Sequence, residues 1–323
     1  MSDWYALERI EKSFEDMKQL LLPFNFKKML KMALVVLFAG GGLGGMSNFS
    51  STVSDIAGQS GSQSTGSITN NLMTGGITGM ASAEAFLPGI ILLAALLVIG
   101  WVVAGAIMKF VFVKICNTGE VSVWNRFKKN TGNGFRLLGF QLLVSIIGIL
   151  IVGVPAGLLL LSGISNIAAG GIILLITIPV MIVMALINLI TGDFVIVDML
   201  DSDNGVLESW KALKKDLSAG WKQIGFYILI KIALMIGSGI VVGIASLVFL
   251  ILAVIVFGIF GIIGYGLYSL VTALGAAYFF VMGVLAIAAL VVGMLFIRVP
   301  VDTFFRYYSI RVFEKLVGRE LVE

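Results

Sequence analysis

The chain has no histidine and a single cysteine, Cys116, among its 323 residues, and only 12% of those residues are charged. The first two absences exclude an internal disulfide and any metal site built on Cys and His ligands. A Ser or Cys nucleophile would need a Lys or a carboxylate as its base, and no such set is in place. Neither an enzyme activity nor a cofactor is therefore expected. The scarcity of charge excludes an ordinary water-soluble domain, which carries roughly 25% charged residues. The N-terminus lacks the basic start and apolar core of a signal peptide; it carries Asp3, Glu8, Glu11, Glu15 and Asp16 instead.

Lys and Arg are missing from residues 32–108 and 137–210, and from 223–297 apart from Lys231. Apolar residues fill these gaps, reaching 59% of the chain. The runs exceed the roughly 20 residues needed to cross a bilayer. The expected class is therefore an all-α polytopic membrane protein, with residues 1–323 forming one transmembrane domain. Six spans are predicted, at 27–45, 86–113, 134–161, 171–199, 221–252 and 270–299, arranged as three hairpins. The stretch 253–269 is apolar and glycine-rich, and reads as a helix extension with a membrane-buried turn rather than a re-entrant segment.

The basic residues gather beside the spans, at Lys27–Lys31, Lys109–Arg136, Lys211–Lys222 and Arg298–Arg319. By the positive-inside rule all four groups are cytoplasmic, so both termini are too, in a multi-pass protein of the cell membrane. The net charge of +4 thus points to anionic lipid head groups and not to nucleic acid. Residues 46–85, rich in Ser, Gly and Thr and free of Lys and Arg, read as an external loop, with Asn48-Phe49-Ser50 as a glycosylation sequon. Residues 1–22 form a predicted amphipathic helix at the membrane surface, its apolar stripe being Trp4, Leu7, Ile10, Phe14, Met17 and Leu21. Residues 303–323 are read as a cytoplasmic tail. Cys116, at the end of a span, reads as an interfacial apolar residue, with palmitoylation as the alternative.

One pattern occurs twice, 86 residues apart. Trp124-x-x-Phe127-Lys128-Lys129 returns as Trp210-x-x-Leu213-Lys214-Lys215, and Gly134-Phe135-Arg136 returns as Gly220-Trp221-Lys222. A register held over that distance implies two parallel copies of one unit, 120–199 and 206–299. Each copy begins with an amphipathic helix and a glycine bend. Trp124, Lys128, Lys129, Arg136, Trp210, Lys214, Lys215, Trp221 and Lys222 are its expected interfacial anchors. Gly153/Gly157 and Gly239/Gly243 have the spacing that lets membrane helices approach closely.

Charges inside the apolar runs carry the functional interest, because burying them is costly. Asp193 and Lys231 are the candidate intramembrane polar pair, read either as a structural ion pair or as part of a polar path that also includes Asn188, Thr191 and Ser145. The 86-residue equivalent of Lys231 is Ser145, so the charge belongs to one copy only. Asp198 and Asp302 each follow a Val-rich exit, which suggests a shared structural role.

The Trp-containing basic helix, the Gly-aromatic-basic step and the apolar hairpin together resemble a broad group of prokaryotic six-helix membrane proteins of uncharacterised function. That group includes the membrane domain attached to some glycerophosphodiester phosphodiesterases. The opening Trp4-Tyr5-Ala6, Leu22-Pro23-Phe24 and Leu30-Lys31-Met32-Ala33 is similar to archaeal members. The resemblance implies a fold and a membrane location. No phosphodiesterase domain accompanies it, so that activity is not carried over. Two functions follow as expectations: a membrane scaffold or accessory protein binding lipid or a partner protein, or a small-solute or lipid transporter or channel.

Overall fold

The computed structural model describes residues 5–40, 87–161 and 167–318, and every element among them is helical. These are α1 (Tyr5–Leu21), α2 (Phe26–Ala39), α3 (Leu87–Thr118), α4 (Val123–Lys129), α5 (Thr131–Leu161) and α6 (Ile167–Ile190). A π-helical turn (Thr191–Val195) continues α6 into α7 (Ile196–Ser202), and α8 (Val206–Ala219), α9 (Trp221–Leu270) and α10 (Thr272–Val317) complete the chain. Local chemistry fixes several ends. Asn25 caps α2 by accepting hydrogen bonds from the backbone N–H groups of Lys27 and Lys28 at 3.1 and 3.4 Å. The Glu208 carboxylate accepts from the Gly205 N–H at 3.2 Å at the start of α8, and left-handed Gly318 closes α10.

Burial is concentrated at one end of the molecule. The buried side chains come from α1 and α2, the last third of α3 (Ala106–Cys116), the turn from Phe194 to Met199, Tyr227, α10 beyond Val299, and a few positions of α5 and α8 such as Leu137, Val206 and Leu213. The remainder of α3, α5, α9 and α10 presents exposed Leu, Ile, Val and Phe nearly all round. A surface of that size would be untenable in water, so these helices face lipid. Among the described residues, five helical stretches are long and apolar enough to cross a membrane: Leu92–Thr118, Thr131–Pro155, Thr177–Ser202, Trp221–Leu270 and Thr272–Val317. The chain is a multi-pass membrane protein with its packed core at the basic end.

The first expected span, 27–45, differs from these five. Its described part, α2, has 14 residues, about 21 Å of helix against a hydrocarbon thickness of about 30 Å. Phe26 meets Phe296 with ring centroids 5.5 Å apart, while a Cβ on Gly40 would lie 3.6 Å from Asp302 Oδ2. Fourteen positions of α2 therefore face six of α10, and helices of equal rise can do that only by crossing obliquely. Residues 41–45, the 46–85 loop and Asn48 lie outside the described residues.

The stretch 253–269 is part of one unbroken 50-residue helix, α9, and the chain reverses at Val271 into the 46-residue α10. At 1.5 Å per residue α9 runs about 75 Å. The two helices pack along each other, with Phe249 against Gly293, Tyr268 against Gly275, and the Tyr278 hydroxyl donating to the Phe260 carbonyl at 3.2 Å. Residues 303–317, read as a tail, belong to α10, and Tyr308, Ile310 and Phe313 are among the most buried side chains. α1 packs on α10 and α9. It buries Ala6, Ser13, Met17 and Leu20, while Leu7 and Phe14 of the expected stripe are exposed. Cys116 is buried in the core.

The close helix contacts fall at other glycines than Gly153, Gly157, Gly239 and Gly243, where a Cβ would meet no other helix within 4 Å among the described residues. Gly134 is helical and not a bend; a Cβ there would lie 2.4 Å from Ile107 Cγ1 of α3. A Cβ on Gly275 would come within 2.3 Å of the Tyr268 Cα, a backbone atom that cannot swing aside. Gly275→Ala is expected to destabilise the α9–α10 turn by about 1–3 kcal/mol, the usual cost of overpacking. Gly243→Ala should be silent. Thermal unfolding in detergent micelles compares the two.

Candidate functional site

Asp193 lies in the π-helical turn and Lys231 lies ten residues into α9. The structure brings them into a direct ion pair through Lys231 Nζ and Asp193 Oδ2. Tyr227, one helical turn before Lys231, donates its hydroxyl to the same Oδ2 at 2.9 Å. Lys231 Nζ also lies 3.3 Å from that hydroxyl, which closes the three groups into a triangle. The Asp193 and Lys231 side chains are each only 12% exposed. A π turn sits in the ladder where an extra residue is accommodated, and such turns often mark special sites. Here it carries Asp193 inward. The Gly192 carbonyl beside it accepts a hydrogen bond from Arg306 Nη1 of α10 at 2.8 Å.

The triangle rests on an aromatic wall. Tyr227 packs between Phe194 (centroids 5.1 Å apart) and Tyr308 (5.3 Å), and Tyr308 continues to Phe304 (6.2 Å). These rings shield the charges and keep their attraction strong. Of the other groups suspected of lining a polar path, Thr191 is buried with its hydroxyl donated to the Ile187 carbonyl at 2.6 Å. Asn188 and Ser145 are exposed on the outer surfaces of α6 and α5. A cleft of about 620 Å³ lies elsewhere, lined by Asp16, Lys28, Cys116, Glu120 and Tyr307 among others.

Helix length gives the site its depth. No charged residue occurs between Lys231 and Arg298. The α9 segment from Lys231 to the Val271 turn is about 60 Å of helix, and that from the turn to Arg298 about 40 Å. Both exceed the roughly 30 Å of a bilayer interior. The pair therefore belongs to the core end, well away from the middle of the apolar hairpin. Tyr227 and Arg306 were not singled out from sequence. The i, i+4 spacing of Tyr227 and Lys231 was the available signal. At the 86-residue offset Asp193 of the first copy corresponds to Phe279, and Tyr227 and Lys231 of the second to Gln141 and Ser145, so the triangle joins the two copies and neither repeats it.

The anchor residues behave unequally. Trp124 is 67% exposed, with Lys128 Nζ 5.4 Å from its ring, and Trp221 is 66% exposed, with Lys222 at 5.8 Å. Trp210 is half-buried and packs on Phe140. Lys129, Arg136, Lys214 and Lys215 are exposed. Asp198 is buried with one oxygen lacking a hydrogen-bond partner among the described residues, whereas Asp302 is buried near Arg298 and Arg306, so the two carboxylates occupy different environments. No His, Cys, Asp and Glu cluster able to hold a metal occurs among the described residues.

The sequence model of the DUF7544 family matches residues 4–319, almost the whole chain. The chain belongs to this family of unknown function. No curated protein and no solved structure matches it. Membership therefore brings a shared fold without a substrate.

Proposed function

We propose that this DUF7544 protein is a non-enzymatic membrane scaffold or accessory protein of the cell membrane, binding lipid or a partner protein through its basic, cytoplasmic end. Six spans in three hairpins, with two parallel copies of one unit, complete that reading. The observation that carries it is the division of the molecule. A packed, charged core sits at one end, and long helices with exposed apolar faces leave it, with Asp193, Tyr227 and Lys231 tied to one another in that core. Exposed Trp124 and Trp221, each beside a lysine, suit the head-group layer. The resemblance to the membrane domain of some glycerophosphodiester phosphodiesterases agrees in fold and lends no activity. The alternative, a small-solute or lipid transporter, draws on the π turn and the buried charges, but the closed triangle gives a solute no free polar group to engage.

Purification of the intact protein from native membrane, followed by identification of bound lipid and protein, tests the proposal. Stoichiometric lipid or one recurrent membrane protein is expected. Solute uptake by reconstituted vesicles that Asp193→Asn abolishes would favour the transporter instead. In the same preparations, Asp193→Ala paired with Lys231→Ala should leave lipid and solute binding unchanged.

A further inference from the structure

The end of α3 and the lower part of α10 face each other, and their charges do not balance. Lys109 is half-buried and makes neither an ion pair nor a hydrogen bond among the described residues. The charged group acting on it is another cation, Arg306. Arg306 in turn has no carboxylate in ion-pair range among the described residues. It donates to the neutral Gly192 carbonyl at 2.8 Å and lies over the Phe112 ring at 5.5 Å. Phe112 is one turn from Lys109, so both cations border the same seam. Asp302, one turn above Arg306, is shared with Arg298 on the same face of α10. One positive charge beyond compensation remains at Arg306 and another at Lys109.

Two cations held together away from bulk water repel each other and forfeit hydration, a costly arrangement unless an anion joins them. The geometry points to a binding site for the phosphate of an anionic phospholipid on the α3–α10 seam, engaged by the Arg306 guanidinium and the Lys109 ammonium. Arg suits the planar, two-oxygen face of a phosphate and Lys adds a point charge. Basic seams between spans near the cytoplasmic face take lipid head groups in this way. A lipid fits better than free phosphate because exposed apolar surface continues from the site. Val102, two turns above Lys109 on the same face, and Ile99 are exposed and offer a track for an acyl chain. The site deepens the lipid-binding arm of the function proposed above and rests on it.

The test uses the intact protein in detergent micelles, with phosphatidylglycerol, phosphatidylcholine or inorganic phosphate added and adducts read by native mass spectrometry. Wild type should retain one phosphatidylglycerol in preference to phosphatidylcholine, and phosphate should compete weakly. Lys109→Gln should weaken that adduct about fivefold, the worth of one cation near a membrane surface, and Lys109→Arg should restore it. An adduct unchanged by Lys109→Gln but lost on Lys128→Gln with Lys129→Gln overturns the site and leaves lipid binding standing. Absence of any phosphatidylglycerol preference in wild type overturns both. Phosphate binding as tightly as the lipid overturns the lipid assignment. A photoactivatable phosphatidylglycerol on wild type guards against a misfolded variant. Its crosslinks should map to 102–112 and 302–310, and crosslinks confined to 124–136 refute the seam.

Discussion

Asp193→Ala is expected to destabilise the protein by about 3–5 kcal/mol, the cost of leaving a buried charge without its partner. Both consequences fall on α9. Lys231 would lose its ion-pair partner at a position mostly shielded from solvent, and the Tyr227 hydroxyl would lose the oxygen it donates to. Lys231→Ala should cost a similar amount by exposing the converse defect. The decisive comparison is a third variant. Asp193→Leu, Tyr227→Phe and Lys231→Met together remove every polar member of the triangle and keep its volume. Replacement of a buried ion pair by apolar residues of similar size is often neutral or stabilising, so the triple variant should recover most of the lost stability. Unfolding midpoints in detergent give both numbers. A triple variant as damaged as either single one would mean that the charges do more than hold α6 to α9.

Arg311→Met is expected to have an effect of the same size, about 3–5 kcal/mol, through a different mechanism. Arg311 is 5% exposed and links α1 to α10, donating to Asp16 at 2.7 Å and to Glu314 at 3.0 Å. Its removal leaves the Asp16 carboxylate without the guanidinium that pairs with it and takes from nearby Glu314 one of its partners, so the repulsion between the two acids is no longer offset. α1 should then release from α10, which limited proteolysis reads as new cleavage within residues 5–21. Adding Asp16→Asn to Arg311→Met should relieve the repulsion and restore protection. Protection unchanged in the single variant would show that α1 is held by its apolar face of Ala6, Met17 and Leu20 alone.

Much of the architecture was legible in the chain, for a simple reason. Charge is scarce, so its positions mark the helix ends, and Lys231 stood out as the one cation in a long apolar run. Its partner Asp193 was legible for the same reason. Helix length was harder to read. Glycines at 258, 261, 264 and 266 suggested a break, yet α9 runs through them, because in an apolar environment an unbroken backbone ladder costs less than any turn. Residues 303–323 read as a cytoplasmic tail, but Tyr307, Tyr308, Ile310 and Phe313 are buried in the core, where α10 packs on α1 and α9. Arg306 and Tyr227 escaped notice because their roles depend on helices brought together from more than 30 positions away, which local spacing does not report.

We propose that the Asp193–Lys231 pair belongs to a core at the membrane's basic face and not to a path through its middle, and the depth of labels on α9 distinguishes the two. Leu229 and Val254 are both exposed on α9, so each tolerates a spin label as a single cysteine in a Cys116→Ala background, in reconstituted bilayers. The label at 229 should be accessible to an aqueous nickel reagent, and the label at 254 accessible to oxygen and deep in the hydrocarbon. A label at 229 buried in the hydrocarbon, with the one at 254 near the opposite head groups, would overturn this placement and put Lys231 in the membrane interior.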